Sequence, residues 1–269
     1  MRAFYNENHK PTAQWLRELV DRRLVSLGTV NDESIEDITP TMLVPYERCH
    51  FFAGIGGWDY ALKLAGWPRN WEVWTGSPPC QPFSASGQGN GFSDERHLWP
   101  SWFWLIEQCR PGVIFGEQVA SAGGKRWLDL VFSDLEGIGY TCGAAVLGAH
   151  SAGAPHVRQR LYWVAYSDSY KSRLSIESGR SGPESSKATQ QWSNPWDGST
   201  DSGLPIEFRT GWDGYIRPIE SGIKPVAYGL PARVVRLRGY GNAIVPQVAA
   251  TFIRAFLDLM DFNPQPKHI

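Results

Sequence analysis

The stretch CHFFAGIGGWDYALKLAG, Cys49 to Gly66, decides the fold. It opens with a short apolar run of the length expected for a buried strand. The run breaks at Gly54, Gly56 and Gly57, which permit a tight turn and a close approach of backbone to a ligand. The remainder, WDYALKLAG, has the apolar spacing of a helix and ends at Gly66, a residue type that closes helices. Strand, glycine turn and helix in that order open many nucleotide-binding α/β domains. Alone, the pattern is more often an ordinary tight turn.

The alternation continues outward. WEVWTG (Trp71–Gly76), GVIFGEQVA (Gly112–Ala120) and LYWVAYS (Leu161–Ser167) read as strands. LWPSWFWLIEQCR (Leu98–Arg110) and WLDLVFSDLEGIG (Trp127–Gly139) read as helices. On the N-terminal side, AFYNE is a short strand, and Pro11 opens a helix through AQWLRELVDRRLV, with Gly28 near its end. The last part of LPARVVRLRGYGNAIVPQVAATFIRAFLDLM is helical. This predicts an α/β domain with a mostly parallel sheet and helices on both faces. From about Asp168 to Tyr215 the chain is rich in Ser, Gly and Pro with little periodicity, an irregular lobe or long insert.

Composition bounds the function. With 269 residues, the chain fits one large domain or a domain with a smaller lobe. Hydrophobic content of 42% supports a sizeable core. A net charge of -1 gives no global basic signal, although a local cleft can be basic in a neutral protein. Most of the 13 tryptophans are expected to pack, with a few able to stack on bases. No apolar run is long enough to span a bilayer, and MRAFYNENHK lacks the core of a signal peptide, so a cytoplasmic location is expected. The four cysteines show no metal-ligand spacing, so no metal is expected, nor pairing in a reducing compartment.

Three features carry chemistry. Cys80 lies in TGSPPCQPFSASG, Thr75 to Gly87, behind two stiffening prolines and ahead of a Ser/Gly run with the texture of a movable loop. A lone cysteine is more often an inert small apolar residue; the other reading is a nucleophile under a lid. GEQV ends an apolar strand with Glu117, which either points into a cleft or makes a salt bridge at the strand end. Arg158 and Arg160 alternate across Gln159, so on a strand both face one side.

Together these segments resemble the DNA cytosine-5 methyltransferases, of the small kind found in phages and prophages. PPCQPFS resembles the family's nucleophile motif, and GEQV stands where the family usually has Glu-Asn-Val. HVRQRLYWVA, His156 to Ala165, resembles its paired-arginine motif. GYGNAIVPQVA, Gly239 to Ala249, resembles its C-terminal Gly-Asn motif, and FFAGIGG its cofactor motif. The matches keep a consistent order and span nearly the whole chain outside about residues 168 to 215. The resemblance implies a Rossmann-like methyltransferase domain over 1–165 and 233–269, with a small target-recognition lobe at 166–232. It implies S-adenosylmethionine as methyl donor and double-stranded DNA as partner, with the target cytosine flipped out of the duplex. The Cys80 thiolate would attack C6 while Glu117 hydrogen-bonds N3, and Arg158 and Arg160 would hold the base, a phosphate and the Glu117 carboxylate. A base would then remove the C5 proton and the thiolate would leave.

The order of segments departs from the family. Only about twenty residues separate Gly57 from Cys80, too few for two further cofactor strands. FYNENHKPTAQWL resembles the family's second cofactor segment and SIEDITPTML its third. The expectation is a rearranged chain, running second, third, first and fourth strand while building the same sheet; loss of the cofactor site is the alternative. Under the rearranged reading Glu7 accepts ribose hydroxyls, against the plain reading of an exposed glutamate. The family's aromatic after that glutamate is Asn8 here, and its aspartate in the third segment aligns with Ser34, with Asp32 nearby.

The cofactor-binding set implied is Phe52, Gly54, Ile55, Gly57, Glu7, Ser34, Ile35, Pro79, Leu98, Asn242 and Ala243. The set implied for DNA is Gln81, Ser84, Ser86, Gly87 and Arg96, with Ser84–His97 closing over the base. Plain readings stay open: Gln81 capping a turn, Arg96 exposed, His97 and Leu98 starting a helix, His156 beginning a strand. In the lobe, Lys171, Arg173, Arg180, Lys187, Arg209, Arg217 and Lys224 offer phosphate contacts, or for any one of them an ordinary solvated surface. One chain holds every part, so a monomer is expected. Two rivals remain: a DNA cytosine deaminase or other C5-modifying enzyme on this scaffold, and a non-catalytic DNA-binding relative.

Overall fold

The computed structural model describes residues 2–79, 98–152, 154, 157–167, 170 and 243–260, and the backbone of 206–210 and 216–220. Strands β1 (Ala3–Asn6), β2 (Gly28–Asn31), β3 (Arg48–Phe51), β4 (Val73–Gly76), β5 (Val113–Val119), β6 (Tyr140–Gly148) and β7 (Gln159–Ser167) form one sheet in the order β2-β1-β3-β4-β5-β7-β6. Pairing is parallel from β2 through β5 and antiparallel on both sides of β7. The first two strands of the chain thus lie outboard of the third, the arrangement the rearranged reading expects.

Helices α1 (Lys10–Asp21), α2 (Pro40–Leu43), α3 (Gly57–Ala65), α4 (Trp99–Cys109), α5 (Ala122–Gly137) and α6 (Pro246–Leu259) cover both faces. Period-2 alternation along the strands sorts the core. On one face Cys49, Phe51, Trp74, Ile114 and Trp163 pack with Trp99, Trp102, Trp127 and Val131 of α4 and α5. On the other, Val73, Phe115, Tyr162 and Val164 pack with Trp58 and Leu62 of α3 and with Val248, Ile253 and Phe256 of α6. Ala3 and Tyr5 of β1 meet Leu16 and Val20 of α1. Most of the described tryptophans do pack: Trp99 and Trp102 stand edge-to-face 5.7 Å apart, as do Trp99 and Trp127 at 5.8 Å.

Several boundaries differ from the sequence reading. The first helix stops at Asp21, and α5 starts at Ala122, upstream of Trp127, because the Ser121 hydroxyl caps the Gly124 amide at 3.1 Å. β6 was not expected; its centre, Gly143, Ala144 and Ala145, has low strand propensity and is a strand through its pairing with β7. β8 (Ile206–Thr210) falls in the stretch expected to be irregular and pairs antiparallel with β9 (Ile216–Glu220), just beyond it. No described helix is long and apolar enough to cross a membrane.

Candidate active site

Parallel strands bring their carboxyl ends to one edge of the sheet, and ligands of open α/β sheets sit in the crevice outside those ends. Here the exits of β1, β2, β3, β4 and β5 share that edge. Each delivers one segment that the sequence singled out.

The β3 exit is the glycine turn. Phe52, Gly54 and Gly56 have φ of 51°, 55° and 78°, in the left-handed region. Gly56 caps α3 in that conformation, so the chain reverses from strand to helix within a few residues. A Cβ on Gly54 would meet nothing within 4 Å, so the turn faces open space. Phe52 lies edge-on to Trp102 at 6.1 Å, Ile55 is half-buried, and Gly57 packs against Ile244. The Ala53 amide donates to the Asn6 carbonyl at 2.9 Å, which ties the turn to β1.

Glu7 follows β1. Its Oε2 accepts the Gly54 amide at 2.8 Å and its Oε1 accepts the His9 amide at 3.0 Å. The carboxylate therefore stands at the open side of the glycine turn, and the plain reading of a free surface glutamate fails. Past β2, Ser34 caps a short 3-10 turn, Ile35–Asp37, and Ile35 is buried. Asp32 is ion-paired with Arg17 at 3.1 Å, on the α1 side. Asn6, buried and missed in the sequence, donates to the Glu33 carbonyl at 3.0 Å and to Asn31 Oδ1 at 3.3 Å, fixing the approach to Ser34.

Glu117 projects from β5 with 8% of its surface exposed. Register pairs it with Tyr162 and pairs Val119 with Arg160, so Arg160 reaches it from the same face. Arg160 Nε donates to Glu117 Oε1 at 2.8 Å. Burial raises the Glu117 pKa above the usual carboxylate range, although Arg160, Arg158 and a hydrogen bond with the Ser77 hydroxyl pull against it. Ser77, at the β4 exit, also accepts Trp58 Nε1 at 3.0 Å. Arg158 precedes β7 with φ of 23°, and its Nη2 donates to the Ala243 carbonyl at 2.8 Å. Burial, and then the neighbouring Arg160 charge, lower its guanidinium pKa. Only Arg160 lies on the strand, in contact with Glu117; Arg158 precedes it and bridges to the segment before α6, although its charge also acts on Glu117.

Close packing fixes this corner. A Cβ on Gly116 would fall 2.1 Å from the Trp163 ring, so only glycine lets β5 and β7 pair there. Gln118, on the opposite face and 3% exposed, donates from Nε2 to the Pro78 carbonyl at 3.1 Å. Pro79 is exposed, and Leu98 is the half-buried residue preceding α4. Cys80, Gln81, Ser84, Ser86, Gly87, Arg96, His97, His156 and Asn242 lie outside the described residues, as do the lobe's Lys171, Arg173, Arg180, Lys187 and Lys224. Of Arg209 and Arg217 only the backbone is described, in β8 and β9. Among the described residues no group of His, Cys, Asp or Glu could hold a metal ion, and Cys49, Cys109 and Cys142 are free thiols.

The family model described as C-5 cytosine-specific DNA methylase matches residues 66–201, half of the chain. The chain belongs to this family. The matched range starts directly after α3, so the glycine turn and the two rearranged strands precede it. Similar proteins include the type II methyltransferase M.AplI of Arthrospira platensis, 32% identical over 35% of this chain and 28% of that protein. M.AluI of Cellulosimicrobium cellulans is 33% identical over 40% of this chain and 23% of its own length. M.HhaI of Haemophilus parahaemolyticus is 34% identical over 33% and 28%. The chain thus spans less than a third of the length of each of these relatives. Among solved structures, a DNMT2 mutant of Spodoptera frugiperda is 14% identical, covering 62% of this chain and 50% of that one at a TM-score of 0.40.

Proposed function

We propose that this cytosine-5 DNA methylase family member is a DNA cytosine-5 methyltransferase, moving a methyl group from S-adenosylmethionine to C5 of a cytosine flipped out of duplex DNA. Glu117 carries the reading. It is a buried carboxylate with raised proton affinity, gripped by Arg160, beside the strand exit that runs through Pro78 and Pro79 to Cys80. A carboxyl poised to hold a proton in a closed corner is what hydrogen-bonding to the ring nitrogen of cytosine requires.

The residues present fit the cofactor. The open glycine turn at Gly54 offers backbone close to a ligand, the Glu7 carboxylate suits ribose hydroxyls, and the cap at Ser34 with Ile35 suits the adenine edge. When bound, S-adenosylmethionine supplies the methyl group that C5 takes up. Everything else falls to the chain. The Cys80 thiolate forms a bond to C6, and the ring electrons shift toward C5 while Glu117 holds a proton at N3. Arg160 fixes the carboxyl, and Arg158 keeps the segment before α6 in place. After transfer a base removes the C5 proton, the C6–S bond breaks and the thiolate is restored. Gln81, Ser84, Ser86, Gly87 and Arg96 are assigned to the DNA, and Asn242 to the cofactor. The span 166–232 is assigned to target recognition beside a catalytic domain of 1–165 and 233–269. The protein is read as a cytoplasmic monomer.

Nucleoside mass spectrometry of duplex DNA treated with the protein tests this. 5-Methylcytosine that requires both S-adenosylmethionine and Cys80, and disappears in Cys80→Ala, is the expected result. Deoxyuridine without 5-methylcytosine would replace the reading with deamination. Unchanged bases, with no adduct on 5-fluorocytosine DNA of varied sequence, would leave a binding protein.

A further inference from the structure

A buried polar network lies beneath the glycine turn and takes no part in the chemistry above. Asp59, in the first turn of α3, is 2% exposed. Its Oδ2 accepts the Ser26 amide at 2.8 Å. Its Oδ1 lies 3.5 Å from His50 Nε2 and 3.8 Å from Arg48 Nη1, on buried side chains of β3. His50 Nδ1 contacts Thr75 Oγ1 of β4 at 2.8 Å, and the imidazole stacks on Tyr5 of β1 at 5.0 Å. The Tyr5 hydroxyl returns to the Ser26 carbonyl at 2.9 Å. Ser26 is thus held at both its amide and its carbonyl.

The connectivity shows what this network joins. Ser26 lies between α1 and β2, and the β1–α1–β2 unit carries Glu7 at one exit and Ser34 past the other. α3 carries the glycine turn at its start, but the chain leaves α3 for β4 and never for β1. No loop therefore ties the far side of α3 to β1–α1–β2. The side-chain contacts there include Asp59 on Ser26 and on the Tyr5 hydroxyl, with Val25 and Leu16 closing on Gly56, and they act beside the direct bonds of the turn to Glu7 and Asn6. A buried charge is retained at a desolvation cost, and in some proteins it is such a group that fixes one arrangement over others. A ligand shared between two units binds tightly only if their spacing is set in advance.

We propose that Asp59 is a positioning residue for the cofactor: by holding Ser26 it fixes β1–α1–β2 against α3, and so fixes Glu7 and Ser34 against the glycine turn. This rests on the cofactor reading above. It differs from a general contribution to stability, because its effect falls on the cofactor site and on one part of the sheet.

The test measures S-adenosylhomocysteine affinity by calorimetry and backbone hydrogen exchange by mass spectrometry, on the full chain. The variants are Asp59→Ala, Asp59→Asn, which keeps an oxygen for the Ser26 amide, and Ser26→Ala, which removes a hydroxyl that also bonds Asp59. Asp59→Ala is expected to weaken binding tenfold or more, with Asp59→Asn in between and Ser26→Ala mildest. The KM for S-adenosylmethionine should rise more than kcat falls. Exchange should accelerate in β1 and β2 and stay slow in β5 and β7. Affinity within twofold of the parent in Asp59→Asn and Ser26→Ala would overturn the proposal even if Asp59→Ala fails to fold. So would a loss of protection spread evenly over the sheet. A parent chain that binds no S-adenosylhomocysteine would overturn the cofactor reading itself, an outcome visible before any variant is made.

Discussion

Gln118 spans from the end of β5 to the Pro78 carbonyl, with 3.1 Å between Nε2 and the oxygen, while its Oε1 accepts the Val119 amide at 2.9 Å. Both ends of one buried amide are therefore used, and the bonded carbonyl stands two residues before Cys80 in the chain. Gln118→Asn is one methylene short and cannot keep both bonds. Its rate of covalent trapping on 5-fluorocytosine DNA should fall about tenfold or more, while S-adenosylhomocysteine affinity holds within twofold. Trapping at the parent rate would show that the strut has no role in presenting the nucleophile.

Glu117 predicts a trade between stability and activity. Its pKa is raised in the folded protein, so the fold binds its proton more tightly than the unfolded chain does. The parent therefore loses stability as pH rises through the unfolded carboxylate value and onward to the raised folded one. Glu117→Gln carries no such penalty. Its Tm relative to the parent should climb between pH 4 and pH 7 while methylation falls by two or more orders of magnitude. Thermal unfolding across that range checks the sign.

Asp59 has the opposite sign. Burial pushes its carboxyl up, but the His50 contact and the Ser26 hydrogen bonds outweigh that and hold it down at about 2. Its stabilising contribution is complete above the ordinary value of 3.8 and is lost as pH falls through about 2. Asp59→Asn should lower Tm at pH 6, and the gap to the parent should narrow in acid. A gap that stays constant from pH 6 to pH 2.5 would mean the carboxylate is not held as described.

Gly116 sets the distance between β5 and β7. Gly116→Ala would drive a methyl group into the buried Trp163 ring, and neither strand can retreat without breaking the register that aligns Glu117 with Arg160. A destabilisation of about 2 to 4 kcal/mol is expected in denaturant titration, with activity reduced beyond the folded fraction.

The parts of the site legible in the sequence were those written in local pattern. The Gly54–Gly57 run announces its turn because few other residues adopt positive φ, and Glu117 shows as a charge in an apolar strand. Arg160 was legible from strand periodicity, whereas Arg158 precedes β7 with φ of 23° and reaches the site through that turn of the backbone. The outboard position of β1 and β2 was implied by the resemblance of FYNENHKPTAQWL and SIEDITPTML to the family's second and third cofactor segments; the short spacing from Gly57 to Cys80 showed only that the usual order does not fit. What escaped depends on partners far away in sequence. Ser77, Gln118, Asn6 and Asp59 look like ordinary polar residues until Glu117, Pro78, Glu33 and Ser26 are placed beside them. β6 escaped because glycine and alanine carry no strand preference of their own.

β6 also sets a schedule for synthesis. It is nine residues with no charged side chain, and among the described strands it bonds only to β7, which leaves the ribosome after it and must lie between β5 and β6. Until β7 arrives, both edges of β6 are open, and so is the far edge of β5. An uncharged strand waiting in that condition can pair with another nascent chain. Soluble yield should therefore follow translation speed and chaperone supply through this interval more closely than it follows the stability of the finished fold.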